Sequence, residues 1–341
     1  MTDTQGAKLT KKDFASDQEV RWCPGCGDYA ILNAVQKYLA ESGKDPANTV
    51  FVSGIGCSSR FPYYLNTYGF HTIHGRAPAV ATGVKTANPD LDVWIITGDG
   101  DSLSIGGNHL AHILRRNLDV NILMFNNEIY GLTKGQYSPT SPVGTRKKST
   151  PLGSVDRPFE PVQFALGSRA TFVARTIDQD VTHMTETIRR ADAHRGTSFV
   201  EILQNCVIFN KDFYSADVDK KVRPDRTIDL RPGEPLVYGK EKDKGLRFAM
   251  SPEKGFTVER CAAADADVWN PSVDSPASAM LLTSLSEDPD LPLPVGLFRD
   301  VPGAVYETGV NAQVEDAVAT KGAGELKDLV YAGELWEVPN E

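Results

Sequence analysis

Short apolar runs with no polar alternation recur along this chain, at residues 49–53, 93–97, 121–125, 172–175 and 198–203. Each reads as a strand buried on both faces. Between them lie stretches with helical spacing. Residues 29–39 put Ile31, Ala34, Val35, Tyr38 and Leu39 on one side, with Asp28 placed to cap the helix. Residues 77–86 are rich in small side chains and read as a tightly packed helix, and residues 106–116 as another. Residues 178–194 carry Val181, Met184, Ile188 and Ala191 on one stripe. Strands alternating with helices predict an α/β fold: an open, mostly parallel sheet with helices on both faces. Such sheets bind ligands at the carboxyl ends of their strands. Gly54-Ile55-Gly56-Cys57, Gly98-Asp99-Gly100, Asn126-Asn127 and Asn205-Cys206 each follow a predicted strand.

Elsewhere the pattern is looser. Residues 1–20 read as a polar arm. Residues 138–157, rich in Ser, Thr, Pro and basic side chains, form a loop long enough to suggest a function. After Phe213 charges and turn residues dominate. This divides the chain into an α/β domain, 1–215, and a C-terminal extension, 216–341, that wraps the body or contacts another subunit. Pro292 and Pro294 mark a surface loop, and Val310, Val314, Ala317 and Val318 stand at helical spacing near the end.

Composition narrows the function classes. The 341 residues carry 36 Lys and Arg against 45 Asp and Glu, a net charge of −9. That balance argues against a nucleic-acid binder, which needs a basic face. No apolar run approaches the roughly 20 residues that span a bilayer. The first residues lack the apolar stretch of a signal peptide, so the expected location is the cytoplasm. Five cysteines in a chain of this kind point to metal or redox chemistry rather than to a disulfide framework.

Two motifs carry that chemistry. Gly98-Asp99-Gly100-Asp101 allows a tight turn and offers a carboxylate to a hard cation. The helix from about residue 106 would present free amides to a diphosphate. The next strand ends at Asn126-Asn127-Glu128-Ile129, where an amide oxygen and a main-chain carbonyl complete a magnesium ligand set. Cys23-Pro24-Gly25-Cys26 is a knuckle that turns two thiols toward one centre, and Cys57 and Cys206 follow strands whose ends can be neighbours. Four cysteines suit a [4Fe–4S] cluster or a structural zinc, and spacing does not choose between them.

The spaced Gly-Asp-Gly and Asn-Asn resemble the motif of the thiamine-diphosphate enzymes. With Trp22-Cys23-Pro24-Gly25-Cys26-Gly27, Gly54-Ile55-Gly56-Cys57-Ser58 and His71-Thr72-Ile73-His74-Gly75-Arg76 in this order, the chain resembles the β subunit of a 2-oxoacid:ferredoxin oxidoreductase over roughly residues 15–215. The resemblance implies Mg²⁺ on Asp99, the Asn127 side chain and the Ile129 carbonyl. It implies a thiamine diphosphate cleft among Ile55, Gly56, Cys57, Ser58, His74, Gly98, Asp99, Gly100, Asp101, Asn127, Ile129, Gly131, Leu132 and Thr133. It implies a [4Fe–4S] cluster on Cys23, Cys26, Cys57 and Cys206, which would take electrons singly, as zinc cannot.

The implied reaction converts a 2-oxoacid, coenzyme A and oxidised ferredoxin into acyl-CoA, CO₂ and reduced ferredoxin. Tyr130-Gly131-Leu132-Thr133-Lys134 looks like the segment over the substrate in members that use 2-oxoglutarate. Lys134, Arg60 and His74 are therefore the expected substrate-orienting residues. The glutamate that thiamine needs at its aminopyrimidine is not evident here. The family places it in an α subunit, so the chain is expected to be inactive alone and to work in a dimer of αβ heterodimers.

Overall fold

The computed structural model describes residues 9–211, 213–253 and 255–339. The predicted strands are all present: β1 (Thr49–Ser53), β3 (Asp92–Gly98), β4 (Asn121–Asn126), β5 (Phe172–Ile177) and β6 (Ser198–Leu203). With β2 (Tyr68–His71), β7 (Thr227–Leu230) and β10 (Leu293–Asp300) they form one eight-stranded sheet in the order β2-β1-β3-β4-β6-β5-β10-β7. Every pairing is parallel except β10 with β5. A separate hairpin, β8 (Lys244–Ser251) and β9 (Gly255–Ala262), stands beside the sheet in a small antiparallel unit.

Burial on both faces explains why these strands lack polar alternation. On one face Val50, Val52, Ile95, Ile122 and Phe199 meet α2 (Ala77–Ala87), α4 (Gly107–Arg116), α5 (Pro161–Gly167) and α7 (Ala277–Thr283). On the other, Phe51, Trp94, Ile96, Leu123 and Val200 meet α1 (Asp28–Ser42) and α6 (Val181–Ala193). Successive strand residues point to opposite cores, as the two-residue strand period requires.

Four expectations need correction. Phe14 is fully buried and Ala15 bridges Leu65, so residues 9–20 of the expected polar arm dock on the body, while its residues 1–8 lie outside the described residues. Pro294 lies inside β10, paired with Ile228, not in a surface loop. Residues beyond 215 add β7 and β10 to the same sheet, so that boundary marks a change of composition and not the edge of the core. Asp28 does not cap α1. Asp28 is 1% exposed, and its carboxylate accepts no amide of the first turn. Finally, α8 (Tyr306–Lys321) and α9 (Leu326–Val330) follow β10, and from residue 312 to 339 every side chain is exposed. No helix among the described residues is long and apolar enough to cross a membrane.

Candidate active site

The carboxyl ends of β1, β3, β4 and β6 converge, and their loops build two adjoining cavities. At the end of β3 the chain enters a short helix, α3 (Asp99–Leu103), directly. This helix, and not the later one starting at Gly107, begins at the motif, which corrects the expected position of the free amides.

Asp101 organises the first cavity. Its Oδ1 accepts the amides of Ile55 at 3.1 Å and Gly75 at 2.9 Å, and its Oδ2 accepts the Thr97 hydroxyl at 2.8 Å. His74 Nδ1 lies 3.3 Å from the same Oδ1. One buried carboxylate thus ties together the loops after β1, β2 and β3. Gly54 permits the approach, since a β-carbon there would stand 1.8 Å from Asp101 Oδ2. At Gly100 a β-carbon would stand 2.2 Å from the Tyr130 ring, whose hydroxyl donates to the Gly100 carbonyl at 3.1 Å.

Asp99 is 2% exposed, and its Oδ2 accepts Ser138 Oγ at 2.5 Å and Thr140 Oγ1 at 2.7 Å. Burial pushes its pKa above the ordinary carboxylate value while the two hydroxyls pull it down. Both hydroxyls come from the 138–157 loop. Thr140 also lies 3.0 Å from Asn126 Oδ1, and Asn126 Nδ2 donates to Glu201. Glu128 takes a left-handed backbone (φ 53°) that turns Asn127 and Ile129 into the same cleft. Its own side chain points inward to the Tyr214 hydroxyl at 2.9 Å, and burial raises its pKa to about 9.

The cleft encloses about 520 Å³, and all fourteen residues expected around thiamine diphosphate line it, Asp99, Asn127 and Ile129 together. The chemistry of this donor set fits a magnesium diphosphate: one carboxylate, one amide, one main-chain carbonyl and a helix start.

The second cavity, about 690 Å³, is lined by Cys23, Cys26, Cys57 and Cys206. Gly25 has φ 83°, and Cys26 N donates to Cys23 O at 3.0 Å, which closes the knuckle. Gln204 Nε2 donates to Cys26 Sγ at 3.2 Å, and Trp22 Nε1 to Cys57 O at 2.7 Å. Burial, then the Asp28 carboxylate and the neighbouring thiols, pushes Cys57 up to about 12 and raises Cys26 as well. Asp28 itself is raised to about 7, chiefly by burial. Among the described residues, no three Cys, His, Asp or Glu side chains are arranged to hold a single metal ion. Cys261 lies on β9, away from this cavity.

The two cavities share Cys57, Asn127, Gly131 and Leu132. A β-carbon at Gly131 would stand 3.6 Å from Cys206 Sγ and 3.7 Å from Cys57 Sγ. Gln204 also joins them, accepting Asn127 Nδ2 at 2.8 Å while donating to Cys26. His74 lines the first cavity, whereas Arg60 and Lys134 line the second. Arg60 donates to the Arg21 carbonyl at 3.0 Å, and Lys134 is exposed with φ 74°. Ser138, Thr140, Gln204 and Tyr214 were not singled out by motif. Only the unusual length of the 138–157 loop pointed toward the first two.

Residues 54–202 match the thiamine pyrophosphate enzyme family, C-terminal TPP-binding domain. The chain is 52% identical over 96% of its length to the 2-oxoglutarate oxidoreductase subunit KorB of Mycobacterium tuberculosis, covering 88% of that protein. It is 50% identical over 67% of its length to the 2-oxoacid:ferredoxin oxidoreductase 1, subunit beta, of Aeropyrum pernix, covering 71% of that protein. In structure it resembles the 2-oxoglutarate:ferredoxin oxidoreductase of Magnetococcus marinus with 2-oxoglutarate, coenzyme A and succinyl-CoA bound. The TM-score is 0.74 and the identity 32%, over 97% of this chain and 98% of the other.

Proposed function

The chain belongs to the β-subunit family of the 2-oxoacid:ferredoxin oxidoreductases, and we propose that it forms the thiamine- and electron-handling half of a 2-oxoglutarate:ferredoxin oxidoreductase. The reaction takes 2-oxoglutarate, coenzyme A and oxidised ferredoxin to succinyl-CoA, CO₂ and reduced ferredoxin, in the cytoplasm. The relatives named for 2-oxoglutarate support that substrate.

In this reading Asp99, the Asn127 side chain and the Ile129 carbonyl hold Mg²⁺ and, through it, the diphosphate. Bound thiamine diphosphate supplies the carbanion and electron sink that decarboxylation of a 2-oxoacid requires. Asp101 holds the loops bearing Ile55 and Gly75 against the cofactor, and His74 faces the same cleft. Cys23, Cys26, Cys57 and Cys206 hold a [4Fe–4S] cluster, which supplies one-electron transfer. Four thiols line one cavity, and the redox step of the reaction needs a one-electron carrier, which a cluster supplies and zinc does not. Lys134 and Arg60, which line the cysteine cavity beside the shared Leu132 and Gly131, orient the distal carboxylate of the substrate. The glutamate for the aminopyrimidine comes from the α subunit, and two αβ units assemble into a dimer.

The observation that carries this reading is the shared wall. Cys57, Asn127, Gly131 and Leu132 border both the cofactor cleft and the cysteine cavity, so electrons leaving the first have a short path to the second. The test is anaerobic co-purification with the α subunit, followed by a viologen-reduction assay over several 2-oxoacids. Coenzyme A-dependent reduction with 2-oxoglutarate as the preferred substrate supports the assignment. Equal rates with pyruvate would remove the substrate claim, and turnover by this chain alone would remove the two-subunit claim.

A further inference from the structure

Two exposed surfaces of this chain have complementary character and no role in the site described above. The first is the C-terminal arm. Beyond α8, residues 322–339 carry Glu325, Asp328, Glu334 and Glu337 against one basic residue, Lys327. They also carry Leu326, Leu329 and Leu335, 75%, 75% and 63% exposed, and Trp336, 84% exposed. A segment this apolar with no core of its own marks a contact surface.

The second is a lobe at residues 142–158, with Arg146, Lys147, Lys148 and Arg157 against one acid, Asp156. It is an ordered turn. Gly144 N donates to Ser154 O at 2.8 Å, Ser154 N to Thr145 O at 3.1 Å, and Lys147 and Thr150 bridge each other. On it Leu152 is 93% exposed, Val155 88% and Val143 60%. Its root is the magnesium-site segment, where Ser138 and Thr140 bond Asp99, and Lys147 Nζ donates to Phe209 O at 2.8 Å beside Cys206.

The segments that lead to the two surfaces leave β4 at its opposite ends. α8, which leads to the arm, starts where Tyr306 N donates to Asn117 O and the Glu307 carboxylate accepts Asp119 N, just before β4. The lobe follows the far end of β4, about 20 Å away along the strand. The arm does not lie on its own lobe, since both are exposed. The 16 residues of α8 span about 24 Å, and the exposed residues 322–339 follow it.

We propose that the arm of one copy docks on the 142–158 lobe of a second copy of this chain and braces that copy's magnesium-site loop. A two-fold axis makes the contact reciprocal, arm to lobe and lobe to arm, and closes the assembly at two copies. Opposite charges set the register, and apolar side chains supply the buried area. The inference rests on the paired αβ units proposed above and adds the surface that joins them.

The test uses the full chain with its α subunit. A photo-crosslinking amino acid in place of Trp336 is expected to give a β–β adduct whose attachment maps to residues 142–158. An adduct with the α subunit, or within one chain, overturns the inference. In parallel, the triple variant Arg146→Glu, Lys148→Glu, Arg157→Glu is expected to halve the particle mass measured by light scattering. Adding Glu325→Lys, Asp328→Lys, Glu334→Lys and Glu337→Lys is expected to restore it. An undivided mass in the triple variant, together with a failed β–β crosslink, overturns the docking while leaving the paired assembly intact. A wild-type mass of one αβ unit overturns both.

Discussion

Asn126 Nδ2 donates a 2.7 Å hydrogen bond to Glu201 Oε1, which links the end of β4 to a buried ion cluster. Arg175, 3% exposed, closes that cluster. Its Nε donates to Glu201 Oε2 at 2.6 Å and its Nη2 to Glu160. The chain of contacts runs from Glu160 through Arg175, Glu201, Asn126 and Thr140 to Asp99.

Replacing Arg175 by Met leaves two buried carboxylates facing each other without a cation. The expected cost is about 3–5 kcal/mol, read as a lower denaturation midpoint. Because Glu201, the partner of Asn126, also loses the guanidinium that holds it in place, thiamine diphosphate affinity in titration calorimetry should fall. Unchanged stability and affinity would show that the cluster does not support the site.

Gly54→Ala tests the hub at Asp101. A β-carbon 1.8 Å from Asp101 Oδ2 forces that carboxylate away from Ile55, Gly75 and Thr97. Three hydrogen bonds to a charged acceptor are strained at once, so a loss of about 2 kcal/mol or more is expected. Cofactor binding should weaken at least tenfold, checked by calorimetric titration with Mg²⁺ and thiamine diphosphate.

Glu128 predicts a pH dependence of the apoprotein. Its folded pKa is raised to about 9 from 4.5, mainly by burial. Below pH 4.5 the folded and unfolded states are both protonated, and the stability is fully present. As pH rises toward about 9 the unfolded state ionises while the folded one does not, and stability falls. Glu128→Gln should flatten this slope in urea titrations at several pH values. Parallel slopes for the two proteins would mean that Glu128 is ionised in the folded state at neutral pH.

Lys134→Ala tests the substrate reading. Removal of one charge-assisted hydrogen bond should raise KM for 2-oxoglutarate about tenfold or more in the αβ complex, with little change for pyruvate. Equal effects on both substrates would place Lys134 outside the substrate contacts.

How far the sequence revealed this molecule follows from burial and spacing. β1, β3, β4, β5 and β6 were legible because burial on both faces leaves uninterrupted apolar runs. β2 was not, because Tyr68, Gly69, Phe70 and His71 form an exposed edge strand with no apolar run to read. β10 was hidden by Pro294, which reads as a strand breaker although it lies inside the strand. The cofactor cleft was legible because its motif is a matter of spacing along the chain. Ser138 and Thr140 were not, since hydroxyls in a loop rich in Ser and Thr look alike until one packs on Asp99. Asp28 shows the converse. An acid before a helical stripe reads as a cap, and the sequence cannot tell that reading from a carboxylate buried beside Cys26.

In the proposed function, thiamine diphosphate held at Asp99 and Asn127 passes electrons to a cluster on Cys23, Cys26, Cys57 and Cys206. The most direct measurement is electron paramagnetic resonance of the anaerobic αβ complex, with iron determined on the same sample. About four irons bound by this chain and a reduced-cluster signal after 2-oxoglutarate is added are expected. That signal should be absent when thiamine diphosphate is omitted and in Asn127→Ala. Stoichiometric zinc in an active complex, or a cluster signal that 2-oxoglutarate does not change, would contradict it.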